Sequence, residues 1–542
     1  MTRLRWSLAA ATAGLLLLVA TLVAVRARSD AVASLGGGTL RVKLLEDPRL
    51  DFGTTFDVNS WAIAYASCAN LMTYPDRGGE AGARPYPEGA AAYPTVSRDG
   101  RTYTFRVRQG LRFQTEARLT AANYAAALNR DLDPATHSPG ADYLTDVVGA
   151  DAVARGAATQ ARGVKVRGNS LVIRLVKPNP DLVFRVALPF FCPIPLDLPH
   201  DPAAVDDLPG SGPYYVAVHR PNQEIELRRN RFYRGRRLHH PKRILFTIGG
   251  DPEENFREVE HGRIDVTATE PPDSALAGLA RRYRLNRSRL FSVPFLATRL
   301  LSLNSARGLF LNNPSLRRAV NYAIDRRALV RTLGYLQGVP TDELLPPVAA
   351  GFRAARIYPL RGPDVRKARA LARGHLHGGR AVLYTRDHPD AVLRAQIVKQ
   401  DLRRIGIRVE IKIFAADVFL EKITRRGTPF DIADSTWFAD YPDPSDFVGA
   451  LADGRGIRAR NNADTAYFDI PSYDRRIEAA SRRGGPARYR AFGRLDVEIM
   501  RNAAPYAPYG NPVGVFFVSR RVGCIVRHPY FLHDYGAFCL KR

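Results

Sequence analysis

Residues 381–414 read A-V-L-Y-T-R-D-H-P-D-A-V-L-R-A-Q-I-V-K-Q-D-L-R-R-I-G-I-R-V-E-I-K-I-F. The first four form a short apolar strand. Ala391, Ala395, Val398, Leu402 and Ile405 then recur at 4-3-4-3 spacing, which lines one face of a helix over 389–405. Gly406 stops that helix, and I-R-V-E-I-K-I-F follows as a second strand. Strand, helix and strand in so few residues make a βαβ unit with parallel strands. The expected fold class is therefore α/β.

Working outward, T-L-R-V-K-L-L (39–45) alternates as a half-buried strand does. Asp99-Gly100 marks a tight turn before Tyr103, Phe105 and Val107, which alternate with polar residues. Thr120 is placed to cap a helix, A-A-N-Y-A-A-A-L-N-R. Further strands are expected at 169–178, 214–218, 224–230 and I-L-F-T-I (244–248), the second and third as a hairpin. A helix E-E-N-F-R-E-V-E-H-G and a short strand Ile264–Val266 come next. Asn313-Pro314 opens one more helix, and Asp325 caps the one after it, closed by Gly334. The proline-rich stretch 189–202 reads as a connector.

The chain has 542 residues, too many for one core, so two or three domains are expected. Net charge is +27, from Arg scattered in pairs and not gathered in a basic tail. That pattern argues against nucleic acid as partner. Arg3 and Arg5 precede an apolar run, Trp6 to Val25, without a charge. It reads as an export signal, cut near Ala31-Val32-Ala33, or as an uncleaved membrane helix. Either way the remainder faces outward, where disulfides persist. Cys68, Cys192, Cys524 and Cys539 allow three pairings. Cys524 and Cys539 are close in sequence, so Cys524–Cys539 with Cys68–Cys192 is expected. Their spacing does not resemble a zinc site, and no metal or cofactor is expected.

No H-E-x-x-H, G-x-S-x-G or P-loop occurs, so no enzyme is expected. Ser211 in G-S-G reads as a turn, and His239-His240 as a solvated loop. One stretch stands out. From Gly427 to Gly454 there are six Asp and no Lys or Arg, where about four basic residues match the chain's average. Within it, S-T-W-F-A-D-Y-P-D-P-S-D-F (435–447) sets Asp440 between Trp437, Phe438 and Tyr441. A carboxylate with aromatic walls suits a cationic ligand, by charge-assisted hydrogen bond and cation–π contact. A proline-punctuated loop whose aromatics cap a core has the same composition.

Seven stretches, in order, resemble the family 5 solute-binding proteins of bacterial ABC importers, the oligopeptide- and dipeptide-binding group. They are S-R-D-G-R-T-Y-T-F-R-V-R-Q-G-L-R-F (97–113), G-S-G-P-Y (210–214), R-N-x-x-Y (229–233), G-R-I-D-V (262–266), L-N to N-Y-A-I-D-R (303–326), L-R-R-I-G-I-R-V (402–409) and W-F-A-D-Y-P-D-P (437–444). The resemblance implies a periplasmic-binding-protein type II (Venus flytrap) fold, two lobes with an extra inserted domain, closing by hinge motion. The expected division is 1–33 as signal or anchor; 38–75, 190–300 and 495–542 as the first lobe; 76–189 as the insert; and 301–494 as the second lobe. It implies that Asp440 holds a ligand's α-amino group, that Trp437 and Phe438 line the same pocket with Tyr441 and Trp61, and that the ligand backbone pairs as an added strand. The implied partners are a peptide or similar solute and an ABC permease, with the protein monomeric at the outer face of the membrane or in the periplasm. A membrane-anchored sensor, or a binder of a metal complex or sugar, fits the same scaffold. Two departures are visible: F-Q-T-E-A-R-L-T-A-A-N-Y (113–124) lacks the family's Asp-Gly turn, and no lipid-anchor Cys follows the apolar run.

Overall fold

The computed structural model describes residues 37–205, 208–531 and 533–541. The apolar run at 6–25 lies outside them. Among the described residues no helix is long and apolar enough to cross a membrane.

In the first lobe, Leu40, Val42 and Leu44 of the strand Thr39–Leu44 are buried, while Thr39, Arg41 and Lys43 are half-buried on the other face. This strand lies parallel to both Arg243–Ile248 and Val266–Thr267. The hairpin Tyr214–Arg220 and Glu224–Arg229 completes a five-stranded sheet. The helix Val58–Ser67 packs nearby, its N-terminus capped by the Asp57 carboxylate, which accepts from the Asn59 and Ser60 amides. Cys68 just beyond that helix is bonded to Cys192, and Cys524 to Cys539, both as expected. Ser211 is buried in its turn, its hydroxyl accepting from the Ala69 amide at 2.9 Å.

The inserted domain carries a four-stranded antiparallel sheet, in the order Thr95–Val96, Thr102–Arg106, Ser170–Arg174, Val164–Arg167. Tyr103 and Phe105 face its core, against the helix Ala121–Leu132. Asn123 Oδ1 accepts from the Thr120 amide at 2.8 Å, the return half of a capping box. Tyr65, Leu71, Met72 and Tyr74 also belong to this core, although they precede the expected start of the insert at 76.

The second lobe contains the βαβ unit. Arg380–Arg386 and Arg408–Phe414 run parallel, in register from Arg380↔Arg408 to Arg386↔Phe414. The helix Pro389–Arg403 buries Ala391, Ala395, Val398 and Leu402. The seven-stranded sheet is ordered Leu290–Pro294, Tyr506–Phe517, Ala297–Leu303, Ile432–Phe438, Arg380–Arg386, Arg408–Phe414, with the short strand Gly338–Pro340 also pairing with Tyr506–Phe517. Its long strand Tyr506–Phe517 is buried at every residue, and Val518 bridges to Val266 of the first lobe. The lobes are thus joined through 290–303 and 506–518. Two expected boundaries need correction. The one at 300/301 falls inside the strand Ala297–Leu303. The one at 494/495 falls inside the helix Gly485–Asn502, whose Phe492, Leu495 and Ile499 share one core with Phe447, Phe468 and Ile477. A boundary belongs where few contacts cross, and one continuous apolar face of a helix is the opposite case.

Candidate functional site

The strand Ile432–Phe438 pairs antiparallel with Ala297–Leu303, setting Thr298 opposite Trp437 and Ala297 opposite Phe438. On its other side the ladder with Arg380–Arg386 stops at Tyr384↔Ala433. Beyond that point, among the described residues, one edge of the strand has no strand beside it. Successive side chains leave a strand on opposite faces. Trp437 turns inward between two apolar clusters of the second lobe, and its buried indole N–H has no acceptor among the described residues. Phe438 points the other way, 54% exposed and edge-on to Phe295. The expectation that Trp437 and Phe438 line one pocket is therefore corrected by the pleat itself.

After Ala439 the chain turns through Pro442 and Pro444 into the helix Ser445–Ala452. Three carboxylates sit in that turn. Asp443 is fully buried and bound by the guanidinium of Arg488, with Nε 3.0 Å from both oxygens. Its Oδ1 also accepts from the Ser445 amide and hydroxyl. Asp440 and Asp446 have no such partner: among the described residues neither makes an ion pair with Lys, Arg or His. Asp446 Oδ2 accepts the Asp440 amide at 2.8 Å. Burial raises the Asp440 carboxyl to about 6, opposed by hydrogen bonding from Tyr143 and assisted by the charge of Asp142. Burial, and then the charge of Asp440, push Asp446 well above the usual carboxylate range.

These groups face a cavity of about 620 Å³ between the insert and the second lobe, whose walls include Asp142, Tyr143, Trp437, Asp440, Tyr441 and Asp446. Eight acidic and six basic residues line it, an excess of acids in a chain whose formal net charge is +27. Tyr441 is buried and donates to Asp181 of the insert at 3.0 Å. Asp181 in turn pairs with Arg185 at 2.8 Å. Tyr441 is thus also a fastening between insert and lobe. Trp61 does not line the cavity. It donates to the Thr55 carbonyl at 3.1 Å, stands edge-on to Phe56 and Phe190, and leans on Tyr530. The Tyr530 hydroxyl donates to the Asp440 carbonyl, so Trp61 reaches the site through one intermediary. Tyr143, Tyr530 and Arg488 were not expected from the sequence. Asp446 stood in the quoted acidic stretch without being singled out.

A second opening, about 750 Å³, lies on the other side of Arg488, between Tyr93 and Phe184 of the insert and Phe352 and Tyr489 of the second lobe. Its buried ion, Arg488, is committed to Asp443. The Asp440 cavity, by contrast, presents buried carboxyls without a counter-ion among the described residues, which makes it the candidate site. Among the described residues no group of three or more His, Cys, Asp or Glu is placed to hold a metal ion.

The model of the bacterial extracellular solute-binding proteins, family 5 Middle, matches residues 84–458. The oligopeptide-binding protein OppA of Bacillus subtilis (strain 168) is 23% identical over 400 residues, 70% of this chain and 71% of that one. The glutathione-binding protein GsiB of Salmonella typhi is 27% identical over 338 residues, 61% of this chain and 62% of its own length. Among solved structures, the clavulanic acid biosynthesis oligopeptide binding protein 2 superposes with a TM-score of 0.86 at 26% identity, covering 94% of this chain and 96% of that one. HbpA2 from Haemophilus parasuis gives 0.79 at 18% identity over 93% and 100%.

Proposed function

The chain belongs to the bacterial extracellular solute-binding proteins of family 5, and from that membership we propose that it captures peptides or other amine-bearing solutes between its lobes and delivers them to an ABC permease. Relatives named for oligopeptides and for glutathione support the ligand class. The observation that carries the reading is Asp440, a carboxylate without a cation, facing an acidic cavity in a chain of net charge +27.

An α-ammonium donates three hydrogen bonds and carries the charge that Asp440 lacks. Tyr143 keeps the carboxylate oriented, and Trp437 walls the cavity. The ligand's own backbone pairs with the strand edge left open past Ala433, in β-augmentation. Alternating pockets along such an edge read side chains, while the main chain supplies the sequence-independent part of the affinity. Closure through the two inter-lobe crossings then shields the ligand. The protein acts as a monomer and needs no cofactor or nucleic acid.

Native mass spectrometry of the full chain, followed by titration with matched peptides bearing free or acetylated N-termini, tests this. Free-amine peptides bind one-to-one and leave unchanged; acetylated ones bind far more weakly. Equal binding of the two removes the role given to Asp440. Indifference to all peptides turns attention to metal complexes and sugars.

A further inference from the structure

The carboxylate of Asp446 exceeds what an amine site built on Asp440 requires. Asp446 is 5% exposed, lines the same cavity, and uses one oxygen to accept the Asp440 amide at 2.8 Å. An asparagine accepts that N–H equally well, so the contact does not account for the charge. Nearby cations are already engaged. Arg488 holds Asp443, Arg185 holds Asp181 and Asp146, Arg455 holds Asp453 and Glu478, and Arg482 also pairs with Glu478. The remaining two in the wall, Lys177 and Arg458, are exposed on its rim. Asp142, from the insert, adds a third carboxylate at the mouth, also without an ion-pair partner among the described residues.

We propose that this site selects ligands carrying two cationic centres close together: a peptide whose first residue is Lys or Arg, its α-ammonium on Asp440 and its side-chain cation on Asp446. This rests on the amine-binding reading above and deepens it. Two carboxylates this close do not both stay ionised without compensating positive charge. A monocation satisfies one and leaves the other to keep a proton. A dication satisfies both, and each buried charge then has its partner. Selectivity arises from the group left unpaired when the second cation is missing.

The test is calorimetric titration of the full-length protein in mild detergent with three tripeptides, Arg-Ala-Ala, citrulline-Ala-Ala and Ala-Ala-Ala. Citrulline keeps the shape of arginine without its charge. Arg-Ala-Ala is expected to bind at least about tenfold more tightly than citrulline-Ala-Ala, a difference of about 1.4 kcal/mol. In Asp446→Asn that ratio falls to within about twofold, while Ala-Ala-Ala still binds and its N-acetylated form does not, which shows that the variant is folded and that Asp440 still works. If wild type binds the charged and uncharged peptides alike, or if the preference survives Asp446→Asn, the inference is overturned while the amine reading stands. If no peptide binds, both fall together.

Discussion

Asp443 and Asp440 stand three residues apart in one proline-rich turn, yet Asp443 has a guanidinium against it and Asp440 faces a cavity. Both were equal candidates on composition. The difference teaches that an acidic side chain in a basic protein is not a site until its counter-ion is accounted for. Arg488 makes Asp443 part of the scaffold: it ties the turn to the helix Gly485–Asn502 and donates onward to the Ser481 carbonyl. Asp440 is held through its backbone, by its amide on Asp446 and its carbonyl on Tyr530, and among the described residues its carboxylate meets only the Tyr143 hydroxyl and no cation, which leaves its charge open to a ligand.

The comparison can be broken most forcefully from the scaffold side. Arg488→Met strands a buried carboxylate, and a loss of about 3–5 kcal/mol in unfolding free energy is expected by denaturant titration. Adding Asp443→Asn should recover much of that loss; a single variant within 1 kcal/mol of wild type would falsify the scaffold assignment. On the other side, Asp440→Asn should lower the affinity for free-amine peptides by at least about a hundredfold, about 2.7 kcal/mol, with stability unchanged or slightly higher.

Acid titration sharpens the contrast. The folded-state value of Asp440, about 6, lies above the ordinary value near 3.9. The native protein therefore holds that proton more tightly than the unfolded chain does. Its stabilising contribution is complete below about pH 4 and is lost as pH rises through about 6. Bound ammonium reverses this, because ligand affinity grows over the same interval as the carboxylate ionises. Thermal melts across pH 4–7 with and without peptide should diverge, and in Asp440→Asn the divergence should shrink. Tyr143→Phe is expected to weaken peptide binding by about three- to tenfold, the worth of one hydrogen bond to the carboxylate. The smallest effect belongs to Phe438→Ala. That ring is mostly solvated, and stability should move by less than about 1 kcal/mol, which a chemical-denaturation midpoint will resolve.

Much of the fold was legible. The βαβ unit follows from Ala391, Ala395, Val398 and Leu402, and each of the four is buried. The caps at Asp325 and Thr120 act over three residues, within reach of local reading. The lobe boundaries were less so. The helix Gly485–Asn502 continues past 494 because its apolar face packs in the second lobe, and Pro508, Gly510, Pro512 and Gly514 hide the strand pattern of the chain's return through Tyr506–Phe517. Of the candidate site, Trp437, Asp440 and Tyr441 do meet at one cavity. Phe438 was misplaced for want of knowing that residues 437 and 438 lie within a strand. Trp61 was placed one neighbour too close.

What the sequence alone determined is everything that depends on near neighbours: the α/β class, the turns and caps, and a cation-free, aspartate-rich segment in an arginine-rich chain. Which of its aspartates is free was decided only by tertiary structure. Asp440, Asp443 and Asp446 lie within seven residues of one another, but Asp443 is met by Arg488, 45 residues beyond it, and the Asp440 carboxyl is set by its burial and by Tyr143, brought in from the insert. Electrostatic partners are fixed by distance in space, and chain separation carries no trace of it.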